Sequence, residues 1–175
     1  MPARTRLLAL DDAPALAHLV REDREFQAPW EPARDERWYT EAGQRADVRA
    51  ALERHAAGLS FPCVVLDEAG AVAGRVTLNN VVRGAFQSCS IGYWIASPAN
   101  GRGLATGAVG EMLRRAFGDL GLHRVEAGTL LHNAASQKVL ERNGFTRYGL
   151  APRYLSIAGR WQDHVLFQAL DPATA

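Results

Sequence analysis

Apolar residues recur along this chain with two different periods, and the period changes from one segment to the next. Segments in which apolar and polar residues alternate, or in which apolar residues run together, predict β-strands. The predicted strands cover residues 4–10, 61–66, 71–82, 86–95, 123–131, 146–157 and 161–170. Segments in which apolar residues return every three or four positions predict helices. One helix is predicted to start at an aspartate cap, Asp11 or Asp12, and three more cover residues 40–57, 108–120 and 133–142.

The strands 61–66, 71–82 and 86–95 are separated by short turns, so they are predicted to form an antiparallel meander. Gly92 interrupts the last of these strands. A glycine inside a strand is typical of a bulge or of a close backbone contact. We therefore expect a bulge at Gly92, immediately before a loop that carries further glycines.

That loop, residues 97–107, connects a predicted strand to a predicted helix and contains Gly101, Gly103 and Gly107. Glycines permit backbone torsions and close approaches that a Cβ would prevent. The free N–H groups of a first helical turn, together with the helix dipole, attract anions, so the loop predicts a site for a phosphate-bearing ligand. No lysine follows the glycines as a P-loop requires, and the dinucleotide-binding pattern is not matched. A plain glycine turn that caps the helix is the alternative.

The composition is that of an ordinary globular domain. The chain has 175 residues, 47% of them apolar and 22% charged, with a net charge of +1. These values predict a single domain, 1–175, and give no reason to expect binding to nucleic acid or to a membrane. Cys63 and Cys89 lie in apolar strands without nearby metal-ligand spacing, so we expect small buried side chains in a reducing, cytoplasmic setting.

The order of elements and the glycine loop together resemble the GNAT superfamily of N-acetyltransferases. Asn100, Gly103 and Ala105 fit its pyrophosphate-binding pattern, with asparagine where glutamine or arginine is usual. The segments 79–94, 122–145 and 159–166 are similar to the RimJ/RimL-type branch, which acetylates the N-terminal amine of ribosomal proteins. The resemblance spans residues 6–170. It implies an α+β fold with a mixed central sheet of about seven strands, splayed in the middle and flanked by about four helices.

The resemblance also implies where acetyl-CoA binds. The cofactor would lie between the strands 86–95 and 123–131, with its pantetheine arm paired to backbone groups of Tyr93, Trp94 and Ile95. Its pyrophosphate would lie on the loop amides, where a guanidinium adds positive charge. The implied loop residues are Asn100, Gly101, Arg102, Gly103, Leu104, Ala105 and Thr106. No metal is implied.

Two residues match the family's N-x-x-S pattern at the start of the last helix. Asn133 would brace the cofactor arm and cap the helix. Ser136 would lie near the CoA sulfur, where a hydroxyl can stabilise or protonate the departing thiolate. Leu140 stands where many relatives carry a tyrosine that protonates the departing thiolate. Ser136 is therefore the predicted acid.

The general base stays open. Leu155 stands where relatives that acetylate ribosomal serines have a glutamate. Glu126 is the candidate from a neighbouring strand, although an ion pair with Arg124 or Arg147 would explain it equally well. A protein α-amine has a pKa near 8, so a weak base or a water would suffice.

Three residues are expected to contact the acceptor: Trp30, Asn79 and Tyr154. Trp30 lies between two prolines, and it either plugs an edge of the core or forms a wall of the groove. Tyr148, Tyr154 and Trp161 are expected in the core or in the groove wall. The branch implies the N-terminal alanine of ribosomal protein S5 as acceptor. A small amine (antibiotic, polyamine or amino acid) and a non-catalytic acetyl-CoA-binding module are the alternatives, and the oligomer would be a monomer or a homodimer.

Overall fold

Seven strands form one mixed sheet in the computed structural model, which describes residues 4–174. The order across the sheet is β1-β2-β3-β4-β5-β7-β6, and all neighbouring strands are antiparallel except β4 and β5. The strands are β1 (Arg4–Leu7), β2 (Phe61–Leu66), β3 (Val72–Val82), β4 (Ser88–Ile95), β5 (Arg124–Leu130), β6 (Thr146–Ile157) and β7 (Arg160–Leu170). The predicted mixed sheet of seven strands is confirmed.

Helices cover both faces of this sheet. Within residues 4–174 they are α1 (Ala13–Glu22), the short α2 (Arg24–Gln27), α3 (Glu41–Ala56), α4 (Leu104–Arg114) and α5 (Ala134–Arg142). Strand side chains alternate between the faces, so successive residues of β2 enter different cores. Val64 packs with Leu16 of α1 and Val48 of α3, whereas Val65 belongs to the larger core with Met112 of α4. No helix within the described range is long and apolar enough to cross a membrane.

The predicted start of α4 was wrong by four residues. The helix begins at Leu104, because Gly103 adopts a left-handed backbone with φ of +78° and serves as its N-cap. The apolar period had placed the start at Ala108, yet Leu104 is already buried on the same helical face. The glycine loop is consequently tighter than the sequence indicated, and its last glycine, Gly107, lies inside the helix.

The bulge predicted at Gly92 was also wrong. Gly92 pairs in regular register with Thr77 of β3, and the register of β3 and β4 shifts between Asn79 and Val82 instead. The interruption lies on the other edge of β4. Its parallel pairing with β5 covers three positions and ends where Ser90 faces Glu126. Beyond that point β4 and β5 diverge into a fork, which is the predicted splay.

The first helix is anchored by an ion pair rather than by an aspartate cap. Asp12 occupies the N-cap position of α1 but makes no capping hydrogen bond. Its buried carboxylate accepts from both terminal nitrogens of Arg6, at 2.8 and 2.6 Å, and from the Ala9 N–H at 2.8 Å. Burial alone would raise the pKa of Asp12, but the hydrogen bonds from Arg6 and Ala9 outweigh it and lower that pKa.

We expect Asp12→Ala to lower the free energy of unfolding by about 2 kcal/mol near neutral pH, because hydrogen bonds to a charged group are lost. A depressed pKa contributes stability that is present above the unfolded value and disappears as the pH falls through the folded value. The difference between wild type and variant should therefore shrink as the pH falls below the ordinary aspartate pKa of about 3.9. Urea unfolding at neutral and at acidic pH measures this difference.

Asp11→Ala is the matched control, since Asp11 is the exposed neighbour in the sequence. It should change the free energy of unfolding by less than about 0.5 kcal/mol. Equal effects of the two substitutions, or an Asp12→Ala effect that does not vary with pH, would contradict the assignment.

Candidate active site

The glycine loop leaves a row of backbone N–H groups free at the start of α4. Gly101 and Gly103 both have φ of +78°, and a Cβ added at either position would meet no atom within 4 Å. Gly107 N–H donates to the Gly103 carbonyl at 2.9 Å and opens the helical ladder. No acceptor within residues 4–174 is hydrogen-bonded to the N–H groups of residues 101–106. These free donors and the positive end of the helix dipole form a cradle for an anion.

The loop is open to solvent on the side that carries the cradle. Gly101, Arg102 and Gly103 are exposed, while Leu104 is buried and fixes the loop to the core. Asn100 is also exposed, and its amide contacts the Ile95 carbonyl at 3.5 Å. Ala105 and Thr106 are half-buried in the first turn of the helix. The guanidinium of Arg102 is thus available to an anion on the cradle.

The fork provides the second part of the site. Among the described residues 4–174, no strand pairs with residues 91–95 of β4 on the edge that faces β5. Side chains in this segment divide between the two faces: Tyr93 and Ile95 pack against the larger core, and Trp94 packs against the smaller one. The backbone between the two cores is therefore available for an extended ligand. Backbone groups alternate between the two edges of a strand, and the Ala96 N–H donates to Ala73 of β3, so Trp94 also faces β3 whereas Tyr93 and Ile95 face β5. The divergence of β5 therefore leaves free backbone groups at Tyr93 and Ile95, with no bulge involved.

A hydroxyl pair connects the two arms of the fork. Ser136 lies in the first turn of α5, the helix that follows β5, and its N–H donates to the Asn133 side chain at 3.1 Å. The predicted N-cap role of Asn133 is confirmed. The Tyr93 hydroxyl of β4 lies 2.8 Å from the Ser136 hydroxyl and 3.3 Å from the Ser136 carbonyl oxygen. Burial raises the pKa of Tyr93 to about 12, against an opposing contribution from the Ser136 hydrogen bond.

Glu126 lies at the last paired position of β5, where the fork opens. Its carboxylate accepts a hydrogen bond from the Tyr148 hydroxyl at 3.1 Å and lies 3.3 Å from Nη1 of Arg124. Arg124 also donates to Gln168 at 2.6 Å. Of the two arginines named above as alternative partners of Glu126, Arg124 forms the ion pair. One carboxylate oxygen carries both contacts, which leaves the other oxygen available.

The residues predicted to contact the acceptor lie on three different elements of the structure. Trp30 is 38% exposed, so it does not plug the core, and its ring centroid lies 5.4 Å from that of His132. The Ala158 N–H donates to the Glu31 carbonyl at 2.9 Å and ties this loop to the β6–β7 turn. Asn79 lies elsewhere, on β3, with its amide 3.3 Å from the Thr77 carbonyl. His132 was missed because its position next to Trp30 depends on a contact between distant segments.

Tyr154 lies on β6, where the register with β7 shifts between Ala151 and Leu155. Its ring lies 5.6 Å from that of His164, and Gly128 of β5 faces both rings. The three aromatic side chains expected in the core or groove wall are all exposed: Tyr148 at 45%, Tyr154 at 48% and Trp161 at 66%. The core part of that expectation was wrong, because Tyr148 and Tyr154 lie on the edge strand β6 and Trp161 lies at the start of β7, next to the β6–β7 turn.

Comparison with known proteins identifies the family and the fold. A family model described as the acetyltransferase (GNAT) domain matches residues 4–146, most of the chain. The chain belongs to the GNAT family of acetyltransferases. The family transfers an acetyl group from acetyl-CoA, and the free amides of the glycine loop and the open fork fit that donor.

Among GNAT proteins, the ribosomal protein uS5-alanine N-acetyltransferase of Escherichia coli is 36% identical over 168 residues, which cover 95% of this chain and 87% of that protein. The structure of ribosomal-protein-S5-alanine acetyltransferase from Vibrio fischeri superposes with a TM-score of 0.92 at 32% identity, covering 98% and 94% of the two chains. Mycobacterium smegmatis RimJ, in complex with CoA-disulfide, superposes with a TM-score of 0.93 at 31% identity, covering 99% and 87%.

We expect Asn133→Ala to lower the free energy of unfolding by about 1 kcal/mol, because the Ser136 N–H loses its acceptor at the start of α5. Asn133→Asp keeps an acceptor at the positive end of the helix and should stay close to wild type. Lys138→Ala, at an exposed position of the same helix, is the control and should change the value by less than about 0.5 kcal/mol. Urea unfolding of the three variants tests the cap, and a fully stable Asn133→Ala would refute it.

Proposed function

We propose that this chain is an acetyl-CoA-dependent N-acetyltransferase that acts on the N-terminal α-amine of a protein, the N-terminal alanine of ribosomal protein S5. The observation that carries the proposal is the row of free amides at residues 101–106, placed at the open end of the fork. Family membership supplies the donor, and the names of the uS5-alanine relatives support the acceptor.

The cradle holds the pyrophosphate of CoA in this proposal. Backbone N–H groups of Gly101 to Thr106 donate to the phosphate oxygens, and the Arg102 guanidinium adds a mobile positive charge. The free edge of residues 91–95 pairs with the amides of the pantetheine arm. Asn133 holds the start of α5 beside that arm. Binding the donor at both ends fixes the thioester between the arms of the fork, which is most of what direct transfer requires.

The bound donor supplies an activated acetyl group on sulfur. Ser136 donates a hydrogen bond toward that sulfur and stabilises the negative charge that develops when the thiolate leaves. Glu126, at the closed end of the fork, accepts the proton of the attacking amine directly or through water. A weak base suffices, because an α-amine with a pKa near 8 is partly neutral at physiological pH.

The acceptor chain enters beside the aromatic side chains on the open part of the sheet. Trp30 and Tyr154 form the walls of the groove, and Asn79 lies deeper, on β3 opposite Ser90. We further infer that the chain acts as one domain in the cytoplasm, as a monomer or homodimer, with no direct contact to nucleic acid.

Gly103→Glu should raise the Kd for CoA by at least about tenfold, since a carboxylate would lie against the pyrophosphate. Gly70→Glu is the matched control: Gly70 has φ of +83°, and an added Cβ there also meets no atom within 4 Å. Both substitutions carry the same backbone strain, of about 1 kcal/mol. Isothermal titration with CoA separates the effect of strain from that of charge repulsion. Equal Kd values for the two variants would show that the loop does not bind the pyrophosphate.

The acceptor is tested with a peptide that starts with alanine, the same peptide with a blocked amine, and a panel of small amines. We expect the free peptide to be acetylated with kcat/KM at least about tenfold above any small amine, and the blocked peptide not at all. The rate at limiting peptide should rise toward pH 8, as the α-amine loses its proton. Mass spectrometry and thiol release follow the reaction. A higher kcat/KM for a polyamine or an antibiotic than for the peptide would contradict the proposed protein acceptor.

A further inference from the structure

The Tyr93 and Ser136 hydroxyls form a pair that links β4 to the first turn of α5. The two side chains come from segments 43 residues apart and meet at 2.8 Å. Both are half-buried, so the bond is partly shielded from water. We propose that the Tyr93 hydroxyl holds the Ser136 hydroxyl with its hydrogen directed at the CoA sulfur, which makes Tyr93 a positioning residue for the leaving group. This inference rests on the proposed function.

The geometry allows either hydroxyl to donate, and the relative acidity of the two groups favours Tyr93 as the donor. A phenol is a stronger acid than an aliphatic alcohol, so Tyr93 is the better donor and Ser136 the better acceptor. When Tyr93 donates, the Ser136 hydrogen is free to point away from the phenol. If Ser136 donated instead, its hydrogen would be engaged with Tyr93 and could not reach a sulfur. The rest of Ser136 is already fixed, because its N–H is bonded to Asn133.

Tyr93 keeps its proton throughout the reaction. Burial raises the pKa of Tyr93 to about 12, whereas an ordinary thiol has a pKa of about 8.5. Moving the phenol proton to the thiolate would therefore be unfavourable. Tyr93 stays a hydrogen-bond donor across the working pH range, and it acts by orienting its partner.

The step is balanced without a further reactant. The amine nitrogen forms a bond to the acetyl carbonyl carbon, and the carbon–sulfur bond breaks with its electron pair left on sulfur. The proton lost by nitrogen ends on that sulfur, so the products are an amide and the thiol of CoA. Ser136 and Tyr93 stabilise the charge on sulfur while it lasts, and both retain their own protons.

Tyr93→Phe removes the hydroxyl and keeps the ring that packs against the core. The first readout is the pKa of the thiol of bound CoA. It is determined from the ultraviolet absorbance of the thiolate as the pH is raised. We expect this pKa to rise by about half a unit to one unit in Tyr93→Phe, and also in Ser136→Ala, since each variant weakens the stabilisation of the thiolate. The measurement needs no acceptor and no turnover.

The second readout is the rate of acetyl transfer. We expect Tyr93→Phe to lower kcat by about five- to tenfold, with the KM for acetyl-CoA changed by less than about twofold. Ser136→Ala should be slower than Tyr93→Phe, and the double variant should be no slower than Ser136→Ala, because Tyr93 acts only through Ser136. Tyr39→Phe is the matched control, because Tyr39 is a half-buried tyrosine that packs against Arg24, away from the fork. It should match wild type in both readouts.

An unchanged thiol pKa together with an unchanged kcat in Tyr93→Phe would overturn the inference. Additive losses in the double variant would overturn it as well, since they would give Tyr93 an independent role. The proposed function fails separately, when the wild-type protein acetylates no amine. In that case the thiol pKa of bound CoA still decides whether Tyr93 orients Ser136.

Discussion

The early end of the pairing between β4 and β5 is the constraint on which the rest of the site depends. The two strands share three paired positions and then separate. Separation is tolerated because each strand has a full antiparallel partner on its other side, β3 for β4 and β7 for β5. Backbone groups that would be costly to leave unpaired in a closed sheet can then serve a ligand. The parallel pair is not a hairpin, because α4 connects the two strands, so its opening separates no directly connected strands.

Two helix starts lie at this opening, and both present groups suited to negative charge. α4 starts at Gly103 with free amides, and α5 starts at Asn133 with the Ser136 hydroxyl close by. In the proposed function the first, which is exposed, receives the permanent charge of a diphosphate. The second has a partly enclosed hydroxyl paired with Tyr93, and in the proposed function it faces a charge that exists only during the reaction. Binding and leaving-group stabilisation therefore use the same physical device at different depths.

Much of the fold follows from local pattern. Alternation and apolar runs predicted every strand of the sheet, and the cap role of Asn133 was predicted from its place at the start of the last helix. The glycine loop was recognisable because glycines are needed where φ is positive, as at Gly101 and Gly103. The wrong predictions concern residues whose type is compatible with two different local structures. Asp12 has the residue type of a cap but pairs with Arg6, and Gly92 lies in a regular ladder.

By itself, then, the sequence determined the strands, the glycine loop, the family and the cap of α5, because these depend on neighbours within a few positions. Tertiary structure decided which groups meet: Tyr93 with Ser136, Glu126 with Tyr148, and Trp30 with His132. Each pair joins segments more than 20 residues apart in the chain. Such contacts are set by how strands diverge and helices pack, and a side-chain period reports only which face a residue occupies.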